Sequence, residues 1–250
     1  MSKILVIPDV HLRDWMFDEA DRLMRENEIE QAVCLGDLVD DWDMQLNRKA
    51  YEAVFEKVFA FDEKHPNTLW CYGNHDVSYI WHKLETGYSP YQEALVERNV
   101  AEMRDRMGDR LQYAHSVGKC LFTHAGVTWE FLDNLRFRGF KVRGIKSLED
   151  VRDMVNQCGM IELWKDESPL WARPTYEDNF RVFEDYQVFQ VTGHTPVQSI
   201  YMNRGRNLLF CDVFSTYPNG KPIGTEQFPV VTSEGEWIAS LQAERRIADN

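Results

Sequence analysis

Short apolar runs alternate with amphipathic segments through the first half of the chain, and this alternation constrains the fold more than any other feature. Lys3–Pro8, Gln31–Leu35 and Thr68–Tyr72 read as strands; Phe17–Asn27 and Leu46–Lys64 read as helices. In the second helix Tyr51, Val54, Phe55, Val58, Phe59 and Phe61 recur near the helical period. Pro90–Met107 reads as a further helix, with Pro90 in a first-turn position that needs no N–H. A β-α-β-α-β order builds a parallel sheet covered by helices.

The pattern then changes. Leu111–Ser116 and Lys119–Thr123 read as a hairpin around Val117-Gly118, and residues 129–186 as a mostly helical insertion. Val188–Thr192, Ser199–Asn203, Asn207–Val213, Phe228–Thr232 and Glu236–Ser240 are short strands divided by Gly, Pro and Asn turns, which predicts a second, largely antiparallel sheet. No repeat or flexible linker divides the chain. The expectation is a single α/β domain over residues 1–250, with two packed β-sheets flanked by helices.

Charge and cysteine usage narrow the function. A net charge of -13 repels nucleic-acid backbones and argues against strong non-specific nucleic-acid binding. Phosphate substrates stay open, because bound cations reverse the local sign. No run approaches the roughly 20 apolar residues of a membrane span. The five cysteines are scattered with no CxxC pair, and the N-terminus reads as a strand rather than an export signal. The expectation is a cytoplasmic protein with reduced core thiols.

Ligands collect at the carboxyl ends of strands in open α/β sheets. Here the strand ends carry Asp9-Val10-His11, Gly36-Asp37-Leu38-Val39-Asp40, Gly73-Asn74-His75-Asp76, Thr123-His124-Ala125-Gly126 and Gly193-His194-Thr195-Pro196. Each block alone reads as a polar turn. Their order is harder to assign to unrelated turns.

The five blocks together resemble the calcineurin-like metallophosphoesterase superfamily: D-x-H, G-D-x-x-D, G-N-H-D/E, a histidine before a small residue and glycine, then G-H. The single histidine in "GHTP" and the segment "SPLWARP" are similar to the phosphoprotein phosphatase and diadenosine tetraphosphatase branch. The resemblance implies a four-layer α/β/β/α sandwich and two divalent transition-metal ions, drawn from Mn, Fe, Zn or Ni, with Mn favoured. Asp9, His11 and Asp37 would hold the first ion, and Asp37, Asn74, His124 and His194 the second. A metal-bridging hydroxide would attack phosphorus in line. His75 would protonate the leaving group, Asp76 would orient its imidazole, and Asn74 would also contact the phosphate.

Competing readings stand beside these. Asp40 reads as a loop stabiliser, and Asp41 and Asp43 as solvated charge. Asp14 reads as a helix cap, His65 as a surface turn residue, and His82 and His115 as lying outside the motifs. Tyr79, Trp81, Tyr88 and Tyr91 read as core or lid packing, with stacking on a nucleobase as the alternative. The sequence departs from the phosphoprotein phosphatase pattern at Asp41, which stands where that branch has a phosphate-gripping arginine. Arg173 is the candidate replacement, because guanidinium pairs with phosphate, and a structural salt bridge is its competing role. Arg136, Arg138 and Arg143 are weaker candidates.

The expected activity is metal-dependent phosphoester hydrolysis, on a phosphomonoester that includes a Ser/Thr phosphoprotein. The alternatives are a symmetrical dinucleoside tetraphosphate hydrolase or a phosphodiesterase. In a different class stands an inactive binding scaffold of the same fold. A phosphorylated small molecule, a nucleotide or a phosphoprotein is the expected partner.

Overall fold

In a computed structural model, the described residues are 2–142, 145–174, 180–203, 205 and 207–244. The first half builds as its periodicity predicts. Strand β1 (Lys3–Ile7) leads to helix α1 (Trp15–Glu26), β2 (Gln31–Cys34), α2 (Arg48–Lys64) and β3 (Leu69–Cys71). Burial drives each step. Ile4 to Ile7 are wholly buried, and α1 faces the core with Met16, Phe17, Ala20, Leu23 and Met24. Helix α2 starts where the Asn47 side chain accepts from Ala50 N, meeting one of the donors a helix start leaves unpaired. Asp14 precedes α1 without a side-chain cap bond, so its expected capping role is corrected.

After β3 the chain enters a short helix α3 (Asn74–Ile80), then α4 (Glu93–Met107), which begins three residues after Pro90. The run Leu111–Ser116, expected as one strand, is two. β4 (Leu111–Gln112) pairs with β3 in the first sheet, whereas β5 (Ala114–Val117) pairs with β6 (Cys120–Thr123) in the second. Asn156 serves the break: its Oδ1 accepts from Tyr113 N and Ala114 N, the two residues where the chain changes sheets. The insertion contributes α5 (Trp129–Phe137), α6 (Leu148–Asn156) and α7 (Met160–Leu163).

The last strands are β7 (Phe189–Thr192), β8 (Tyr201–Asn203), β9 (Leu208–Phe210), β10 (Gln227–Thr232) and β11 (Glu236–Gln242). Among the described residues one sheet runs β11-β10-β1-β2-β3-β4 and the other β5-β6-β7-β9-β8. Two expectations need correction. The final hairpin joins the first sheet, because β10 pairs antiparallel with β1. The second sheet is mixed, because β6–β7 and β7–β9 are parallel.

The result is two mixed sheets flanked by helices, an α/β sandwich whose main apolar core takes residues from both sheets. All five cysteines are buried and unpaired. No helix among the described residues is long and apolar enough to cross a membrane. β1, β2, β3, β6 and β7 all present their carboxyl ends to one side, and the polar blocks follow them there.

Candidate metal centre

Asp37 stands at the middle of the site. It is buried, with a left-handed backbone (φ 50°), directly after Gly36. The His124 Nε2 lies 3.3 Å from Asp37 Oδ2, and the His11 Nε2 lies 3.8 Å from the same oxygen. His124 Nε2 also lies 2.8 Å from Asn74 Oδ1 and 3.1 Å from His194 Nδ1. Potential ligand atoms of Asp37, His124 and His194 form one group within 4.8 Å, and those of His11, Asp37 and His75 form a second.

Three imidazoles share one arrangement. His11 Nδ1 donates to Asp40 O at 2.8 Å, His124 Nδ1 to Leu35 O at 2.9 Å, and His194 Nε2 to Trp171 O at 3.2 Å. A carbonyl only accepts, so each of these nitrogens carries the hydrogen. In the neutral ring the other nitrogen then turns a lone pair inward, as in metal-bound histidines oriented by outer partners.

Electrostatics favour positive charge in the centre. Burial and Asp212 raise the Asp9 pKa well above its ordinary value. Burial opposes ionisation of Asp37 too, but His124, His75 and His11 hold its carboxyl well below the usual range. Burial would lower the His124 pKa, yet Asp37 and Asp9 push it up to about 9. A buried group of carboxylates that draws protons onto imidazole is one that fits cations. Imidazole, carboxylate and amide oxygen together suit a divalent transition metal better than calcium.

Asp9 and Asn74 complete the predicted set differently. Asn74 reaches His124 directly. The Asp9 carboxylate accepts the His194 N–H at 2.9 Å, and its pairing reaches across the two sheets. Gly193 permits this approach: a Cβ there would lie 1.9 Å from Asp9 Oδ1. His11, Asp40 and His194 share with Asp37 the left-handed backbone that non-glycine residues avoid, at a cost of order 1–3 kcal/mol each.

The assignment of Asp76 to the His75 ring is corrected. Asp76 Oδ2 accepts from Asp37 N and Gly73 N, and Oδ1 accepts from Leu38 N, each at 2.9 Å. Its oxygens are therefore spent on the backbone that presents Asp37 and starts α3. The His75 ring is held by Asp40 instead, with Nδ1 at 3.0 Å from Asp40 Oδ2. Burial would lower the His75 pKa, but Asp37 and Asp40 push it up to about 9. The sequence separation of Asp40 and His75 hides this pairing.

Arg173 lines the cleft over the site and donates to His194 O at 2.7 Å. Among the described residues it makes no ion pair. Asp41, in the place of the missing arginine, pairs at 3.2 Å with Arg13, a buried residue that the sequence reading passed over. Asp212 was also missed; it is buried, lines the same cleft and accepts from Ser215. No motif marks it. Arg136 and Arg138 do not line the cleft, and Arg143 lies outside the described residues. His82 pairs with Glu93 and Glu97 on the surface, and His65 with Asp21.

The cleft holds about 300 Å³. Its aromatic walls are Trp42 and Trp171. Tyr79, Trp81, Tyr88 and Tyr91 are not among its lining residues; Tyr79 stacks on Tyr88 at 4.3 Å, and Trp81 packs against Tyr113 and Trp164.

The family description "Calcineurin-like phosphoesterase" matches residues 2–210. A search of curated proteins gave no significant match. Among solved structures, a cold-active protein tyrosine phosphatase is 15% identical, with TM-score 0.57, covering 97% of this chain and 79% of its own. A cold-active protein-tyrosine phosphatase of a psychrophile, Shewanella sp., is 14% identical, with TM-score 0.56 and coverage of 97% and 81%. The Thermus thermophilus protein TT1561 is 8% identical, with TM-score 0.50 and coverage of 95% and 97%. At these identities the likeness is one of fold.

Proposed function

The chain belongs to the calcineurin-like phosphoesterase family, and from that premise we propose that it is a dinuclear-metal phosphomonoesterase. The observation that carries this reading is the convergence of His11, His124 and His194 on Asp37, each with its outer nitrogen tied to a backbone carbonyl. Asp9, His11 and Asp37 would hold one ion, and Asp37, Asn74, His124 and His194 the other, with Mn favoured. When bound, such ions neutralise phosphate charge and activate water for attack at phosphorus.

The chain's own residues supply the rest. His75 differs from the three ligand histidines because its outer nitrogen faces a carboxylate, not a carbonyl. That partner favours the imidazolium, which cannot bind a cation and can donate a proton from Nε2. We therefore assign His75 to the leaving group and Asp40 to holding it. Arg173, fixed by one N–H to His194 O, brings a cation to the cleft and is the proposed phosphate contact.

A monoester is favoured over a dinucleoside polyphosphate. Arg173 is the one arginine or lysine among the described residues lining the cleft, beside Asp41, Glu85 and Asp212. A chain of phosphates calls for more cations than that. Of the aromatic residues after His75 that would serve a nucleobase, Tyr79, Trp81 and Tyr88 pack elsewhere and exposed Tyr91 does not line the cleft. Phosphorylated small molecules and phosphoproteins remain the proposed substrates, and the cytoplasm the proposed compartment.

The test is Mn-dependent hydrolysis of p-nitrophenyl phosphate and bis-p-nitrophenyl phosphate. The monoester is expected to be hydrolysed faster, and a chain that prefers the diester contradicts the reading.

A further inference from the structure

Asp40 makes more bonds than a loop carboxylate needs. Its Oδ2 faces His75 Nδ1 at 3.0 Å. Its Oδ1 accepts from Tyr51 Oη at 2.7 Å and from Tyr79 Oη at 2.5 Å. Tyr51 comes from α2 and Tyr79 from α3, and both are wholly buried. Tyr79 Oη in turn accepts the Ser89 N–H at 2.9 Å, and Ser89 Oγ donates to Gln45 O at 2.6 Å.

Phenylalanine would fill the same apolar space without a hydroxyl to satisfy. Burying a hydroxyl is costly unless it is paired, and here both phenols meet one oxygen. An unclamped carboxylate can rotate and exchange its oxygens. Fixing Oδ1 fixes where Oδ2 lies, and so the plane of the His75 ring, which lines the cleft.

We infer that Tyr51 and Tyr79 are positioning residues for leaving-group protonation, clamping Asp40 so that it holds His75 on the departing oxygen. This rests on the reading of His75 given above. As water adds to phosphorus and the bond to the ester oxygen breaks, the His75 Nε2 proton passes to that oxygen. The products are an alcohol and inorganic phosphate, and His75 regains its proton from solvent. An alkoxide needs that proton and p-nitrophenolate does not, so the clamp matters most for poor leaving groups.

The experiment compares Tyr51→Phe, Tyr79→Phe and the double variant on p-nitrophenyl phosphate and on β-glycerophosphate. General acid catalysis is worth about 10²–10⁴-fold. The double variant is expected to lose about tenfold or more in kcat on β-glycerophosphate and less than about threefold on p-nitrophenyl phosphate. Equal losses on both esters, or no loss on either, overturn the inference. If the double variant does not fold, Tyr79→Phe decides: a rise in the aryl-to-alkyl rate ratio supports the clamp, and an unchanged ratio overturns it.

A second readout is independent of turnover. In metal-free protein the His75 Nδ1–H proton should give a downfield NMR resonance that shifts upfield in each single variant and vanishes in the double. A resonance that survives in the double variant overturns the clamp. If wild type hydrolyses neither ester, the reading of His75 as an acid fails, and this resonance alone decides whether the clamp exists.

Discussion

Asp76 is the residue whose role the structure changes most, and its substitution separates two mechanisms. Its carboxylate accepts three backbone N–H bonds, from Asp37, Leu38 and Gly73, each at 2.9 Å. The residue is buried. Asp76→Ala strands all three donors. A buried donor left unmet costs about 1–3 kcal/mol, so the loss is about 3 kcal/mol or more, a large share of a typical total of about 5–15 kcal/mol. Asp76→Asn is gentler. Its carbonyl oxygen can take the place of Oδ2 and keep Asp37 N and Gly73 N paired, while its NH₂ faces Leu38 N. One bond is lost, for about 1–3 kcal/mol. Denaturant unfolding of the metal-free proteins measures both, and metal titration shows whether the displaced Asp37 still binds. The expected order of stability is wild type, then Asp76→Asn, then Asp76→Ala, with metal affinity falling in the same order. If Asp76 served instead to orient His75, both variants would keep wild-type midpoints and metal content and lose only rate. That outcome would refute the backbone role.

Other outcomes follow from the same geometry. In Gly193→Ala a Cβ would lie 1.9 Å from Asp9 Oδ1, so elemental analysis should find less than the wild-type metal content. Stripping metal with a chelator should lower the melting temperature by roughly 10–20 °C, if both ions are held at about a hundred times their Kd, and Mn should restore it. Burial lowers the His115 pKa to about 4 from 6.5, so the fold keeps it neutral. That contribution is full above pH 6.5 and is lost as pH falls toward 4, up to about 3 kcal/mol. Metal-free His115→Gln should therefore show a shallower loss of stability over that window than metal-free wild type.

Much of the site was legible because its residues follow strands whose order is local in sequence. The apolar runs ending at Ile7, Cys34, Cys71, Thr123 and Thr192 each lead to a ligand-capable residue within three positions, save His11, which is four beyond. What failed depends on partners distant in the chain. β10 pairs with β1 from the far end of the sequence, and nothing local in Gln227–Thr232 reports its partner. The break in Leu111–Ser116 is set by Asn156, more than forty residues on. Asp76 stands beside His75 in sequence, yet on α3 neighbouring side chains diverge, and it turns to the backbone of Asp37 while Asp40 meets His75. Asp212 and Arg13 carry no motif and join the site only through packing.

In the proposed mechanism Asp37 joins two cations on which hydrolysis depends. Metal per chain and p-nitrophenyl phosphate turnover, measured on stripped and Mn-reloaded wild type and Asp37→Asn, test it most directly. Two ions and activity are expected in reloaded wild type, neither in stripped protein, and loss of both in folded Asp37→Asn. Full turnover by stripped protein, or by Asp37→Asn, would contradict it.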